Sequence, residues 1–455
     1  MTTEPPKQAA PKKDRGFARD SLLVLLSQAA HVILNITIGI ITLNVWGGKT
    51  YGDIRIALNA TQIAGIVGDV GMRKVLPYEL GKDEGNRDHL VGIALTLFVI
   101  MAVLMTALAA VPFLIPGLFA TTWWWGVLAA LLVPPTLLSN YTRGIALGIG
   151  KIGTFANIAW MTALPALLVV IFVGVVLGLD APEHGWLRII AAIVGWSIVG
   201  VYCLWFISRH SRLGLVFDRA KMSSMLRRGA IFAAGGVLMR LNYRVDILLL
   251  GLVVYSIPKE DITQYSIGAG LAQLVWQLPI TIGYVIISRG VRATDPLAFA
   301  RKTSRLVRLA ILASIFAGAA IAVVAPHILP LVYRKIEGPN EIHVYVWILL
   351  PGIIAFIPAQ LFEADLVAKN HPWAISIVML PVVIVNIGLN LYLIPLDAAF
   401  GGAKGAALAS TITYILGAIG MTFMYANKTG LSIAEIVVPR KADFRFKLPG
   451  RKSQP

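Results

Sequence analysis

RGAIFAAGGVLMRLNYRVDILLLG, residues 228–251, is long and apolar enough to cross a bilayer, yet it carries Arg240, Arg244 and Asp246 near its middle. At about 1.5 Å rise per residue, a continuous helix puts Arg240 near the bilayer midplane and the other two a turn or so further out. An ionised side chain at that depth costs at least roughly 2.5–3.5 kcal/mol. In such a helix Arg240 and Arg244, four apart, share a face, while Asp246 points nearly the opposite way and cannot neutralise both. Two readings follow. Either each arginine has a carboxylate on a neighbouring helix and braces the bundle, or the pair forms a cationic spot in a polar cavity that receives an anionic substrate. The second is favoured.

The rest of the chain repeats the apolar theme. Of 455 residues, 57% are hydrophobic and 14% charged, and the mean hydropathy is +0.76. These values exclude an ordinary soluble domain. Apolar runs of about 20 residues recur along nearly the whole length, as in a polytopic helical membrane protein. The formal charge of +17 belongs to membrane loops rather than to nucleic-acid binding. Cys203 is the only cysteine, which excludes intramolecular disulfides and cysteine metal clusters.

Twelve spans are expected, near 21–45, 54–75, 89–113, 123–142, 153–179, 186–207, 228–251, 262–288, 306–332, 343–367, 373–395 and 403–425. Pro134, Pro135 and Pro165 interrupt the fourth and fifth. With both termini on one side, 31 lysines and arginines fall on that side and six on the other, leaving Arg55, Arg240 and Arg244 inside spans. The excess makes the termini cytoplasmic. The expected parts are a disordered tail (1–20), a six-helix bundle (21–207), a basic cytoplasmic linker (208–227), a second bundle (228–425) and a basic tail (426–455).

The halves look alike. AVPFLIPGLF at 110–119 aligns with VAPHILPLVY at 324–333, placing Pro112 on Pro326 and Pro116 on Pro330, and the same offset of 214 places Tyr51 on Tyr265. Six spans per half is an even number, so the halves share one orientation about an axis along the membrane normal, with a substrate path between them. The fold expected is an all-α integral membrane protein of two six-helix halves.

Polar residues inside the spans mark that path. Gln28, His31 and Asn35 share one face of the first span, and Arg55, Asn59, Gln62 and Asp69 share one face of the second. Gln273, Trp276 and Gln277 add to it from the eighth, Asn386 and Asn390 from the eleventh. Each amide equally suits helix packing, and Arg55 equally suits snorkelling to headgroups. The expected substrate-binding set is Arg240, Arg244, Arg55, Asn59, Gln62, His31, Gln273 and Gln277. Asp246 and Asp69 are coupling or counter-charge candidates. The sequence holds no Walker, dinucleotide-binding or HExxH motif, and neither cofactor nor metal is expected.

Several stretches carry a family resemblance: YGDIRIALNATQIAGIVGDVGMRK at 51–74, NYRVDILLLG at 242–251, QYSIGAG at 264–270, ILLPGII at 348–354, GGAKGAALAST at 401–411 and KTGLS at 428–432. In that order and spacing, the chain resembles the Wzx-type oligosaccharide flippases of the MOP transporter superfamily, relatives of the MATE exporters. The resemblance implies movement of a polyprenyl-pyrophosphate-linked oligosaccharide across the inner membrane for surface polysaccharide assembly, beside polymerase or export proteins. It implies a transporter rather than an enzyme, partnered by membrane lipids and not by nucleic acid. Competing readings are a MATE-like or major-facilitator-like small-molecule transporter. A remoter one is an integral-membrane transferase using Glu363 and Asp365.

Overall fold

Hydrocarbon offers no partner to a backbone N–H or C=O, so apolar runs of this length fold as helices that satisfy their own backbone. A computed structural model describes residues 15–82, 86–119, 121–290, 294–336, 340–396, 401–440 and 443. The expected tail 1–20 lies outside them up to residue 14, and residues 15–20 belong to a helix instead.

The first half comprises α1 (Arg15–Trp46), α2 (Gly48–Gly68) with α3 (Met72–Lys82), α4 (Arg87–Leu114), α5 (Trp123–Ala130) with α6 (Val133–Gly148), α7 (Ile152–Met161) with α8 (Ala163–Ile171), and α9 (Trp186–His210). The second half comprises α10 (Arg219–Leu241) with α11 (Val245–Leu250), α12 (Lys259–Ala272) with α13 (Gln277–Gly290), α14 (Pro296–Val332), α15 (Ile342–Ala355) with α16 (Ile357–Ala368), α17 (Pro372–Leu393) and α18 (Gly402–Thr429). A short α19 (Ile433–Val437) follows. Among the described residues, nine passes are long and apolar enough to cross a membrane by length and composition. The other three are the divided second, fourth and seventh passes, so the chain is a multi-pass membrane protein of twelve passes in two halves.

The fourth pass is interrupted where its prolines predict, at Leu131–Leu132. Pro134 and Pro135 stand in the first turn of α6, where the missing N–H has no helical partner to lose. They begin a helix rather than kink one.

Two large cores form. One gathers Met72, Leu76, Leu90, Tyr141, Ile145 and Phe206 of the first half, and also Met222 and Met225 from the start of α10. The other fills the second half and takes in Met239 from the end of α10. The seventh pass therefore starts against one half and ends inside the other. Basic residues at its start fix the first contact: Lys221 and Arg228 bind Glu79 of α3 at 2.8 and 2.6 Å. The connection between the halves is shorter than the basic stretch 208–227, because α10 already begins at Arg219. The last segment folds back on α14, where Arg308 pairs with both carboxylate oxygens of Asp443 at 2.7 Å.

Candidate functional site

The seventh pass is not a continuous helix. It breaks at Asn242–Arg244, with Arg244 at φ −131°, and no proline or glycine stands at the break. Side-chain amides from other helices meet the carbonyls at the break. Asn59 of α2 donates to the Arg244 carbonyl at 2.6 Å, and Asn386 of α17 makes a longer contact to that of Asn242 at 3.4 Å. Irregular backbone at membrane depth needs such partners or a wet wall. The break cancels the expected four-residue register, so Arg240 and Arg244 do not share a face. Arg244 and Asp246 instead come to line one space.

That space is a cavity of about 530 Å³ between the halves. Three guanidinium groups reach it: Arg55 from α2, Arg188 from α9 and Arg244 from the break. The charge of Arg55 is felt by both of the others. Nε of Arg55 and Nη1 of Arg188 are buried without a hydrogen-bond partner among the described residues. Nor does any described carboxylate pair with the three arginines within 4 Å. Asp246 is the one acid among the described residues of the wall. Its carboxylate accepts hydrogen bonds from Tyr265, from Ser410 at 3.1 Å and from the backbone N–H of Ile247 at 2.8 Å. The wall thus carries three cations against one anion whose lone pairs are largely occupied.

No protein-family profile and no curated protein sequence matches the chain. Solved structures do. An inward-facing multidrug-resistance MATE transporter of the MOP superfamily aligns over 90% of this chain and 100% of its own, with TM-score 0.67 and 13% identity. The outward-facing conformation of such a transporter aligns over 91% and 96%, with TM-score 0.60 and 12% identity. A MOP superfamily transporter from Pyrococcus furiosus, whose binding pocket is of reverse polarity, aligns over 92% and 95%, with TM-score 0.57 and 13% identity. The chain has the MATE fold.

Within that fold the cavity is closed on the face away from the termini. Lys259 of α12 pairs with Asp53 of α2 at 2.8 Å, and Glu260 with Lys49 at 3.6 Å. Thr263 donates to the Gly48 carbonyl at 2.6 Å, and Asn44 to that of Val332 at 2.7 Å. Gly52 permits this approach, since a Cβ there would lie 2.6 Å from the Lys259 carbonyl oxygen.

The residues singled out from the sequence now divide. His31, Arg55, Gln62, Arg244, Asp246, Gln273 and Gln277 line the cavity, and so does Asn35, which donates to the His31 carbonyl at 2.8 Å. Arg240, Asn59 and Asp69 do not line it. Arg240 lies beside Tyr243 and Lys74, and Lys74 faces Glu363 at 3.7 Å. Asn59 holds the break. Asp69 caps the end of α2. Trp276 is buried, donating to the Ile353 carbonyl at 2.8 Å. Asn386 and Asn390 are buried as well, and Asn390 donates to the Asn386 carbonyl at 2.9 Å. Glu363 and Asp365 stand apart from the cavity, Asp365 buried against Lys369 at 2.7 Å and Tyr425. In the sequence Arg188, two residues into the span at 186–207, reads as one of the six charges at the loop ends opposite the termini. Its neighbours HGWLRII at 184–190 look like the start of a span, but only its depth in the folded bundle brings it to Arg55.

Proposed function

We propose that the protein is a flippase that moves a polyprenyl-pyrophosphate-linked oligosaccharide from the cytoplasmic to the outer leaflet, by alternating access around the cavity between its halves. The observation that carries this reading is the convergence of Arg55, Arg188 and Arg244 without paired carboxylates. Pyrophosphate brings about two negative charges, and guanidinium forks hold phosphate oxygens bidentately. A cation exporter requires the opposite polarity, whereas the Pyrococcus furiosus structure is a precedent for reversed polarity on this fold. His31, Gln62, Gln273 and Gln277 supply hydrogen-bonding groups of the kind sugar hydroxyls use. In this reading the termini face is cytoplasmic, in the inner membrane, and the lipid-linked substrate enters the cavity from that side.

One observation favours a MATE-like exporter of a small organic anion: about 530 Å³ suits a drug-sized ligand. Mass spectrometry of polyprenyl-linked intermediates in a deletion strain separates the readings. Accumulation of intact repeat units is expected for the flippase. Unchanged intermediates with intact surface polysaccharide favour the exporter, and loss of the repeat units favours a transferase.

A further inference from the structure

The connection between the halves, SRLGLVFD at 211–218, is extended rather than helical. Side chains of an extended segment alternate between two sides. Leu213, Leu215 and Phe217 point outward and are 52%, 66% and 77% exposed. The intervening Val216 turns inward onto α4. Its N–H donates to the Gly92 carbonyl at 3.3 Å, and its carbonyl accepts from Thr96 Oγ1 at 2.9 Å. Gly92 is the notch that allows this, because a Cβ there would lie 2.5 Å from Val216 Cγ2.

Depth decides what covers the outward side. The 28 residues of α4 span about 42 Å against a hydrocarbon core of about 30 Å, leaving about 6 Å of helix beyond each boundary. Thr96 lies about 13 Å along the axis from Arg87. With α4 centred in the bilayer, the hydrogen bond to Thr96 puts the segment at the interface, and its anchors Ser211 and Arg212 hold it to Asp88 at 2.7 and 3.1 Å. At that depth the three apolar side chains stand level with the membrane interface. The rim is basic and aromatic. Arg209 lies 5.8 Å over the half-exposed ring of Trp205, the arginine-and-tryptophan pairing of a membrane interface. Arg212 is 93% exposed, with only a 3.8 Å contact to Asp88, and Arg219 is exposed at the start of α10. Lys221 is left out because Glu79 holds it.

We propose that residues 211–218 form an interfacial strap. It seats Leu213, Leu215 and Phe217 among acyl chains and presents Arg209, Arg212 and Arg219 to the phosphates of anionic phospholipid headgroups. Because the strap is hydrogen-bonded to α4 and runs into the part of α10 that packs on the first half, it moves with that half. The lipid surface then serves as a fixed reference against which the second half rocks.

Spin labels at 213, 215 and 217, one at a time in a Cys203→Ser background, test the seating. The full chain is placed in phosphatidylcholine nanodiscs with and without phosphatidylglycerol, and in native membrane vesicles. Expected is relaxation by oxygen several-fold stronger than by a water-soluble nickel chelate at all three positions. Dominant relaxation by nickel would place the strap in water and overturn the proposal. Shielding from both reagents in native vesicles alone would assign the surface to a protein partner and overturn it too. Native mass spectrometry of an Arg209→Gln/Arg212→Gln/Arg219→Gln variant tests the headgroup contact. It should retain fewer phosphatidylglycerol molecules than the parent and as many phosphatidylcholine molecules, whereas equal retention of both would remove the arginines from lipid recognition.

Discussion

Two neighbouring polar side chains on α2 show how residue-level roles separate. Gln62 is exposed to the cavity, whereas Asn59 is 3% exposed and bound to the Arg244 carbonyl. In a Cys203→Ser background, Gln62→Cys should react with water-soluble thiol reagents and Asn59→Cys should stay inert. Reaction at 59 would remove it from the break. The arginines make a sharper case. Under the proposed function Arg188→Lys and Arg244→Lys keep the charge but lose the bidentate fork, so polysaccharide export should fall while membrane abundance stays near that of the parent. Arg188→Ala and Arg244→Ala should abolish export with the protein still present. Loss of the protein itself in these alanine variants would return the residues to bracing the bundle.

At the scale of elements, the seventh-pass break depends on a borrowed hydrogen bond. Asn59→Leu removes the side-chain hydrogen bond to the Arg244 carbonyl and should destabilise the protein by roughly 0.5–1.5 kcal/mol, read as a lowered midpoint in thermal unfolding. A variant as stable as the parent would show that the break needs no cap. The fold-back of the last segment onto α14 is a second local device. Hydrogen bonds from Arg308 hold the Asp443 carboxyl below the ordinary aspartate range, helped by the backbone N–H of Arg440. A carboxylate with a depressed folded pKa stabilises above its unfolded value and loses that contribution as pH falls through the folded one. The segment should therefore stay docked at neutral pH and release only in acid below the usual aspartate pKa. Hydrogen exchange at 433–440 reads this directly. Release near neutrality would contradict it. Arg308→Ala leaves Asp443 buried without its partner and should cost roughly 3–5 kcal/mol.

For the whole molecule, the alternation of twelve passes fixes which loops share a side. Reporter fusions should place Lys82, Arg219 and Lys369 together and Asp180, Lys259 and Lys335 opposite them. One marker on the wrong side would break the two-half arrangement. Closure on the face away from the termini rests on α2 lying against α12, with Gly52 at the point of nearest approach. Gly52→Val should wedge those helices apart, so spin–spin distances between labels on α2 and α12 should lengthen relative to the parent. Unchanged distances would move the closure elsewhere.

The twelve passes, their division into halves and the polar faces of the first, second and eighth passes were legible in the chain, because hydrocarbon enforces length, apolarity and loop charge locally. His31, Arg55, Gln62, Gln273 and Gln277 could be found that way, since a polar residue at membrane depth needs a reason at its own position. Arg240 and Arg244 could not be told apart, because a continuous helix was the simplest reading of 228–251. What separates them is the break, whose carbonyls meet the side chains of Asn59 and Asn386, 185 and 144 residues away in the chain. Arg188 was invisible for a related reason. A charge at the end of a span is at home in a loop, and only the packing of α9 against α2 sets it beside Arg55 with a guanidinium N–H left unpaired. Sequence determined what crosses the membrane; tertiary contact decided which charges meet.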